Sequence, residues 1–259
     1  MRVGLQDARA RRSGAREAKR AGARRGALAK APRGKKKAAA VGAAPVRKRD
    51  AVATRAKILE AAVDEFAARG LQDARIEDVA ERAGANRRMI YYYFGSKEGL
   101  YLEALESVYA GLMEEERKID VENMHPVQAI VEMVRTKIDH YAENPQFITF
   151  LNMENLYKAR YLKDSKRLAE FKAPFTEVIG RVLERGQRLG LFREDVDPLD
   201  LYISICALGY MYFSNQYTLG VIFGRDLITP SALERRKVAI ADIIISYLSR
   251  DQSTVLGAK

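Results

Sequence analysis

The sequence predicts an all-α protein, with an N-terminal three-helix module followed by a longer helical domain. Three observations carry this. Apolar residues recur at helical spacing from Val52 to Leu248. Glycines and capping residues break those patterns at helix-sized intervals. In the C-terminal half no strand-type alternation competes. The boundaries read as a disordered basic tail over 1–50, a module of short helices over 51–97, a helical domain over 98–250 and a flexible end over 251–259.

The tail is set apart by charge. Of 45 Lys/Arg and 34 Asp/Glu in the chain, residues 1–50 hold 17 and 3, so the remainder carries a net charge of −3. Besides Met1, Val3, Leu5, Leu28, Val41 and Val46, the segment has no larger apolar side chain that could offset its ordering entropy. Three readings stand: a basic arm that adds non-specific affinity for nucleic acid, a solvated tail, or text upstream of the true start codon.

The first helical pattern runs through Ile58, Leu59, Ala62, Val63 and Phe66, and Gly70 stands where a left-handed cap is expected. Ile76, Val79 and Ala80 mark a short second helix that Gly84 ends. Asn86 is a good N-cap for a third, "RRMIYYYF". Ser96 caps a fourth, with Leu100, Ala104, Leu105, Val108 and Leu112 inward. This is the outline of a helix-turn-helix motif over about 75–94.

Such a motif lays its second short helix in a DNA major groove. Arg87 and Arg88 open that helix, and arginine reads guanine through its bidentate fork. Ile90 and Phe94 are four apart and face inward. Tyr91 and Tyr92 then point outward, where hydroxyls meet phosphates and rings meet thymine methyls.

The stretch "ILEAAVDEFAARG…IEDVAERAGANRRMIYYYFGSKEGL" resembles the N-terminal domain of the tetracycline-repressor (TetR) family. The matching elements are Ile58-Leu59, Ala62, Phe66, Gly70, Val79-Ala80, Ala83-Gly84, Tyr91 to Phe94 and Ser96 to Leu100. The resemblance implies that Arg87, Arg88 and Met89 face base edges, and that Tyr91 and Tyr93 contact bases or phosphates. It implies that Lys97, with the N-terminus of the fourth helix, binds a phosphate. Asn86 and Tyr92 join this DNA-facing set, Tyr92 standing open between phosphate contact and packing. The family usually has Thr or Ser at the positions of Ala74 and Arg75. Neither residue caps a helix, which leaves Asp73 as the candidate cap and Arg75 as a charged phosphate contact. Small or polar residues are usual where Met89 stands, so the operator sequence does not transfer.

Beyond residue 120, five helical patterns follow. Pro126 starts one that stops at Asn144-Pro145, with Val127, Ile130, Val131, Val134, Ile138 and Tyr141 inward. "QFITFLNMENLYKARYL" is apolar early and polar late. The pattern from Ser165 is interrupted or bent near Pro174. Asp197 caps a helix that is apolar on nearly all sides from Leu199 to Phe213 and is expected to be buried all round. Ser231 caps the last helix, with Val238, Ala241, Ile244, Ile245 and Leu248 inward.

Two late apolar helices suggest an interface, or simply a completed core. The resemblance implies a homodimer through about 198–219 and 231–249, presenting two reading heads to a pseudo-palindromic, double-stranded operator. It also implies a small-molecule effector pocket, with Phe147, Phe150, Met153, Asn155, Tyr157, Phe175, Cys206, Tyr210 and Phe213 as candidate lining. Taken singly, each of these reads as plain core before it reads as a ligand contact. Their character suits an apolar or aromatic effector. "NPQFITFLNMENLYKARYL" and "GLFREDVDPLDLYISICALGY" resemble the small-molecule-responsive subgroup, whose effectors vary.

An enzyme reading finds no support, and no catalytic, metal or cofactor site is expected. His125 and His140 lack metal-ligand spacing and read as solvated or helix-end residues. The lone Cys206 sits in the most apolar helix and reads as buried and inert. No serine elbow or phosphate-cradling loop occurs. The longest apolar run, Ile203–Phe213, is shorter than a membrane span, and no signal peptide is evident, so a cytoplasmic, nucleoid-associated protein is expected. The function expected is a ligand-released transcriptional repressor, with activation left open. The other reading is an architectural binder that coats DNA without sequence preference through its basic tail.

Overall fold

The computed structural model describes residues 44–169 and 172–249, with side chains described over 50–167 and 176–249. Eleven α-helices are described. They are α1 (Ala44–Asp73), α2 (Ile76–Arg82), α3 (Arg87–Phe94), α4 (Lys97–Arg117), α5 (Pro126–Glu143), α6 (Pro145–Leu156), α7 (Lys166–Ala169), α8 (Lys172–Arg188), α9 (Pro198–Ser214), α10 (Gln216–Phe223) and α11 (Pro230–Leu248). The only strand-like pairing among the described residues is a single bridge, Phe192 to Ser249. It ties the α8–α9 loop to the end of α11.

The expected tail lies outside the described residues up to 43. Its last residues do not follow the expectation, because α1 already runs from Ala44. Once a helix exists, each added Ala, Arg or Lys gains a hydrogen bond without a new nucleation cost. The far end of α1 breaks at Gly70, whose φ of 70° an L-side chain rarely adopts.

Two apolar cores form. In the N-terminal core, Ile58, Ala62 and Phe66 of α1 meet Val79 of α2, Ile90 and Phe94 of α3, and Leu100, Tyr101, Ala104 and Leu105 of α4. In the C-terminal core, Ile130, Val134 and Ile138 of α5 meet Ile179, Val182 and Leu183 of α8, Leu201 and Ile205 of α9, and Ile240, Ala241 and Ile244 of α11. The expected boundary at residue 97 does not separate them. Helix α4 contributes Leu100 to the first core and Leu112 to the second, and Phe150 of α6 belongs to the first. Tyr101 stacks on Phe150 with ring centroids 5.4 Å apart, joining the two parts.

Helix starts follow local chemistry where a short polar side chain precedes the helix. Asn86 accepts from the Met89 amide at 3.0 Å, Ser96 from Gly99 at 3.0 Å and Asp197 from Asp200 at 2.9 Å. Two expected caps are corrected. Thr229, not Ser231, caps α11, accepting from the Ala232 amide at 3.3 Å, because Pro230 takes the first helical position. Asp73 does not cap α2, whose N-cap residue Arg75 makes no side-chain cap. The buried carboxylate of Glu65 instead accepts from the Arg75 amide at 3.3 Å, and Arg69 and Arg82 flank it at 3.1 and 3.7 Å. Helix α8 starts before Pro174, which falls in its first turn, where a missing amide costs no intrahelical bond.

Helix α9 is not buried all round. Leu201, Ile205, Gly209 and Phe213 face the core, while Leu199, Ile203 and Met211 are about half exposed. Its apolar stretch ends at Asn215, and α10 begins anew at Gln216. On α11, Val238 is exposed, and the neighbouring Lys237 is buried instead, its ammonium paired with Asp139 and Glu234.

Candidate functional site

The residues expected to face DNA group on α3 and its flanks. Ile90 and Phe94 are buried, and this fixes the opposite face outward. Arg75, Asn86, Arg87, Arg88, Tyr91 and Tyr92 are exposed, while Met89, Tyr93 and Lys97 are half-buried. Tyr92 is 81% exposed and rests edge-on against Tyr93, which resolves its packing alternative in favour of solvent. Met89 and Tyr93 both lean on the N-terminal core, so their outer edges alone remain available. The Lys97 ammonium donates to the Gln72 carbonyl at 3.0 Å, fastening the start of α4 to the end of α1.

The two arginines differ. Arg87 is paired with Glu77 of α2 at 2.8 Å, and its guanidinium lies 6.0 Å from the Tyr91 ring centroid. The Tyr91 hydroxyl and the Glu77 carboxylate both favour its charged form. Arg88 makes no ion pair among the described residues and projects freely.

The second candidate site is a cavity of about 730 Å³ in the C-terminal domain. Helices α4, α5, α6 and α9 line it, with the segment that follows α6. Of the candidate lining residues, Phe147, Asn155, Cys206 and Tyr210 line it. Phe150, Met153 and Tyr157 do not, because they face the N-terminal core. Phe213 does not, because it packs edge-on against Tyr141 within the C-terminal core. Phe175 lies outside the residues whose side chains are described. Cys206 is half-buried at the wall rather than enclosed in the core.

Sequence reasoning missed most of the wall on α4. Tyr109, Leu112 and Met113 line the cavity, as do Tyr141 of α5 and Tyr202 of α9. The available signal was a set of aromatics on inward stripes of three different helices. The segment after α6 turns through Lys158 and Ala159, both with left-handed φ, and brings Leu162, Lys163 and Ser165 to the cavity. Glu154 holds this turn: its buried carboxylate accepts from the Leu162 amide at 2.9 Å and from the Tyr101 hydroxyl at 3.1 Å.

The walls are largely apolar, with tyrosine hydroxyls as the main polar groups. Burial pushes the Tyr109 hydroxyl up to about 12 and raises Tyr141 and Tyr202 as well, so all three stay neutral donors. Lys137 sits behind the wall, 4.6 Å from the Tyr202 ring centroid and 3.5 Å from its hydroxyl. It pairs with Glu116 of α4, so its charge is matched within the protein.

His140 is buried near the end of α5, not solvated, while His125 is exposed. Among the described residues no cluster of His, Cys, Asp and Glu could hold a metal ion, and no helix is long and apolar enough to cross a membrane.

Residues 58–104 match the family described as bacterial regulatory proteins, tetR family, and residues 126–244 match the tetracyclin repressor-like C-terminal domain. The HTH-type transcriptional repressor NicS of Pseudomonas putida is 37% identical over 205 residues, covering 79% of this chain and 97% of NicS. The HTH-type transcriptional repressor SCO4008 of Streptomyces coelicolor is 30% identical over 163 residues, covering 62% of this chain and 78% of that protein. The solved structure of FadR from Bacillus subtilis, in complex with stearoyl-CoA, shares the fold at a TM-score of 0.56 and 16% identity, covering 75% of this chain and 99% of that chain. Helix-turn-helix geometry, sequence and fold agree: the chain belongs to the TetR family of bacterial DNA-binding transcriptional regulators, not to a family of enzymes.

Proposed function

We propose that this regulator is a repressor that binds a pseudo-palindromic operator as a homodimer and is released when a small apolar or aromatic effector fills the cavity. The observation that carries this is the course of α4. Its first turn, capped by Ser96 and fastened to the end of α1 by Lys97, packs Leu100 and Tyr101 in one core with Ile90 and Phe94 of α3, and its later turns supply Tyr109, Leu112 and Met113 to the cavity wall. An effector that repacks those three side chains acts on the helix that seats the recognition helix. A ligand that favours one setting of α4 shifts the population of reading heads able to span both half-sites.

Arg87, Arg88, Met89 and Tyr91 are the proposed base-facing set. Arg75, Asn86, Tyr92, Tyr93 and Lys97 are the proposed phosphate-facing set. The dimer face is proposed on α9 with α10 (about 198–219) and on α11 (about 231–249). Leu199, Ile203 and Met211, spaced by four and eight residues, are exposed on α9, and Val238, Ile243 and Tyr247 are exposed on α11. Large apolar side chains exposed together on neighbouring helices mark an interaction site.

Footprinting with the full chain on the DNA upstream of its own gene tests the reading. A short protected palindrome is expected, with light scattering giving a dimer mass. Equal protection of random DNA would replace it with the architectural reading.

A further inference from the structure

We propose that Glu77 is a specificity-determining residue: by holding Arg87, it converts that arginine from a general phosphate contact into a base reader. The inference rests on the DNA-binding role proposed for α3 and goes beyond it, because Glu77 lies on α2 and its carboxylate is repelled by the phosphates that a cationic side chain would meet.

The geometry comes from three neighbours. Glu77 stands in the first turn of α2, and Arg87 is the first residue of α3. The Glu77 Oε1 to Arg87 Nη1 distance is 2.8 Å. The ring of Tyr91, one turn along α3, lies 6.0 Å from the guanidinium carbon. A long side chain that would sample many rotamers is therefore restrained by both an acid and an aromatic face. Guanidinium has five N–H donors in a planar fork, so the one engaged by Glu77 leaves others for a base edge. Arg88, with no ion pair among the described residues, has no such restraint.

The energetic consequence follows from charge. If Arg87 swings away to a phosphate, the Glu77 carboxylate is left unpaired near a polyanion. That is a penalty on every sequence. If Arg87 meets a guanine edge while keeping Glu77, it gains a bidentate contact without that penalty. The acid thus disfavours the non-specific mode more than the specific one, which is how a repulsive element sharpens discrimination. Exposure of both partners, 60% for Arg87 and 46% for Glu77, makes the pair weak as a source of stability. Its removal therefore leaves the fold intact.

The test uses the full chain and a duplex it selects from a random pool. Binding of the wild type, E77A, R87A and the double variant is measured by fluorescence anisotropy. The probes are the selected duplex, its single-base variants and a random duplex, each at two salt concentrations. Removing Glu77 is expected to tighten binding to the random duplex and to reduce discrimination at one base position by about fivefold or more. In the R87A background the E77A change should leave the base preferences untouched. If E77A shifts every duplex by one common factor, or acts equally without Arg87, Glu77 is only part of the overall field and the proposal is overturned. If the wild type selects no sequence, the sequence-specific reading of α3 fails, and this inference falls with it.

Discussion

Lys137 of α5 and Glu116 of α4 form an ion pair that is buried on both sides, beneath the tyrosine wall of the cavity. Burial alone would push the Lys137 ammonium down, but Glu116 beside it holds it above its ordinary value. Burial raises the Glu116 carboxyl, and Lys137 opposes that rise. The second Glu116 oxygen, Oε2, is buried without a partner. The pair therefore ties α4 to α5 firmly only while both members are present.

Replacing Lys137 with Met should cost about 3–5 kcal/mol, since it leaves a buried carboxylate uncompensated. Adding Glu116→Leu in the same chain should recover most of that loss. Urea unfolding of the two variants checks both steps. If the double variant is no more stable than the single one, the pair is not the source of the loss.

Glu154 offers a second junction. Changing Tyr101 to Phe removes the hydroxyl that donates to Glu154 Oε1 and leaves the stacking on Phe150 in place. A loss of about 1–3 kcal/mol is expected, the cost of a buried acceptor without its donor. A thermal melt of Tyr101→Phe beside the wild type measures it, and an unchanged Tm would show that Glu154 finds another donor.

Gly99 has no room for a side chain. A Cβ there would lie 2.2 Å from the Phe94 carbonyl oxygen, across the turn that joins α3 to α4. Gly99→Ala must move backbone, and the turn it moves carries the recognition helix. Operator affinity should fall by about tenfold or more, while the C-terminal helices keep their content by circular dichroism. Wild-type affinity in this variant would mean that the turn relaxes freely.

His140 gives a pH dependence with a definite sign. Burial pushes its imidazole down to about 4. The unfolded chain, near the ordinary value of about 6.5, then binds a proton more readily than the folded one. Its contribution to stability is full above about 6.5 and is lost as pH falls from there toward 4. Stability measured from pH 7 to pH 4 should decline less steeply in His140→Gln than in the wild type. Parallel curves would indicate that His140 titrates normally.

The helix-turn-helix module was legible almost residue by residue. Ile58, Phe66, Ile90 and Phe94 are inward, Tyr91 and Tyr92 outward, and Asn86 and Ser96 cap as their positions predict. Short helices packed on near neighbours obey local rules, because each inward stripe has one partner surface to meet. The hydrogen bond at the start of α2 was not legible. The Arg75 amide donates to Glu65, ten residues earlier on α1, across the non-helical Gly70.

Sequence by itself determined the all-α class, the helix starts set by Asn86, Ser96, Asp197 and Pro126, and the outward arginines and tyrosines of α3. These depend on spacing and on side chains within one turn of each other. Only the tertiary structure decided which inward aromatics enclose space. Phe147 and Tyr210 line the cavity while Phe150 and Phe213 fill cores, although all four read alike along the chain. It also decided that α9 leaves Leu199, Ile203 and Met211 uncovered. Periodicity tells a residue which way it faces along its own helix. Whether that direction meets another side chain or an empty volume depends on where the other helices stand.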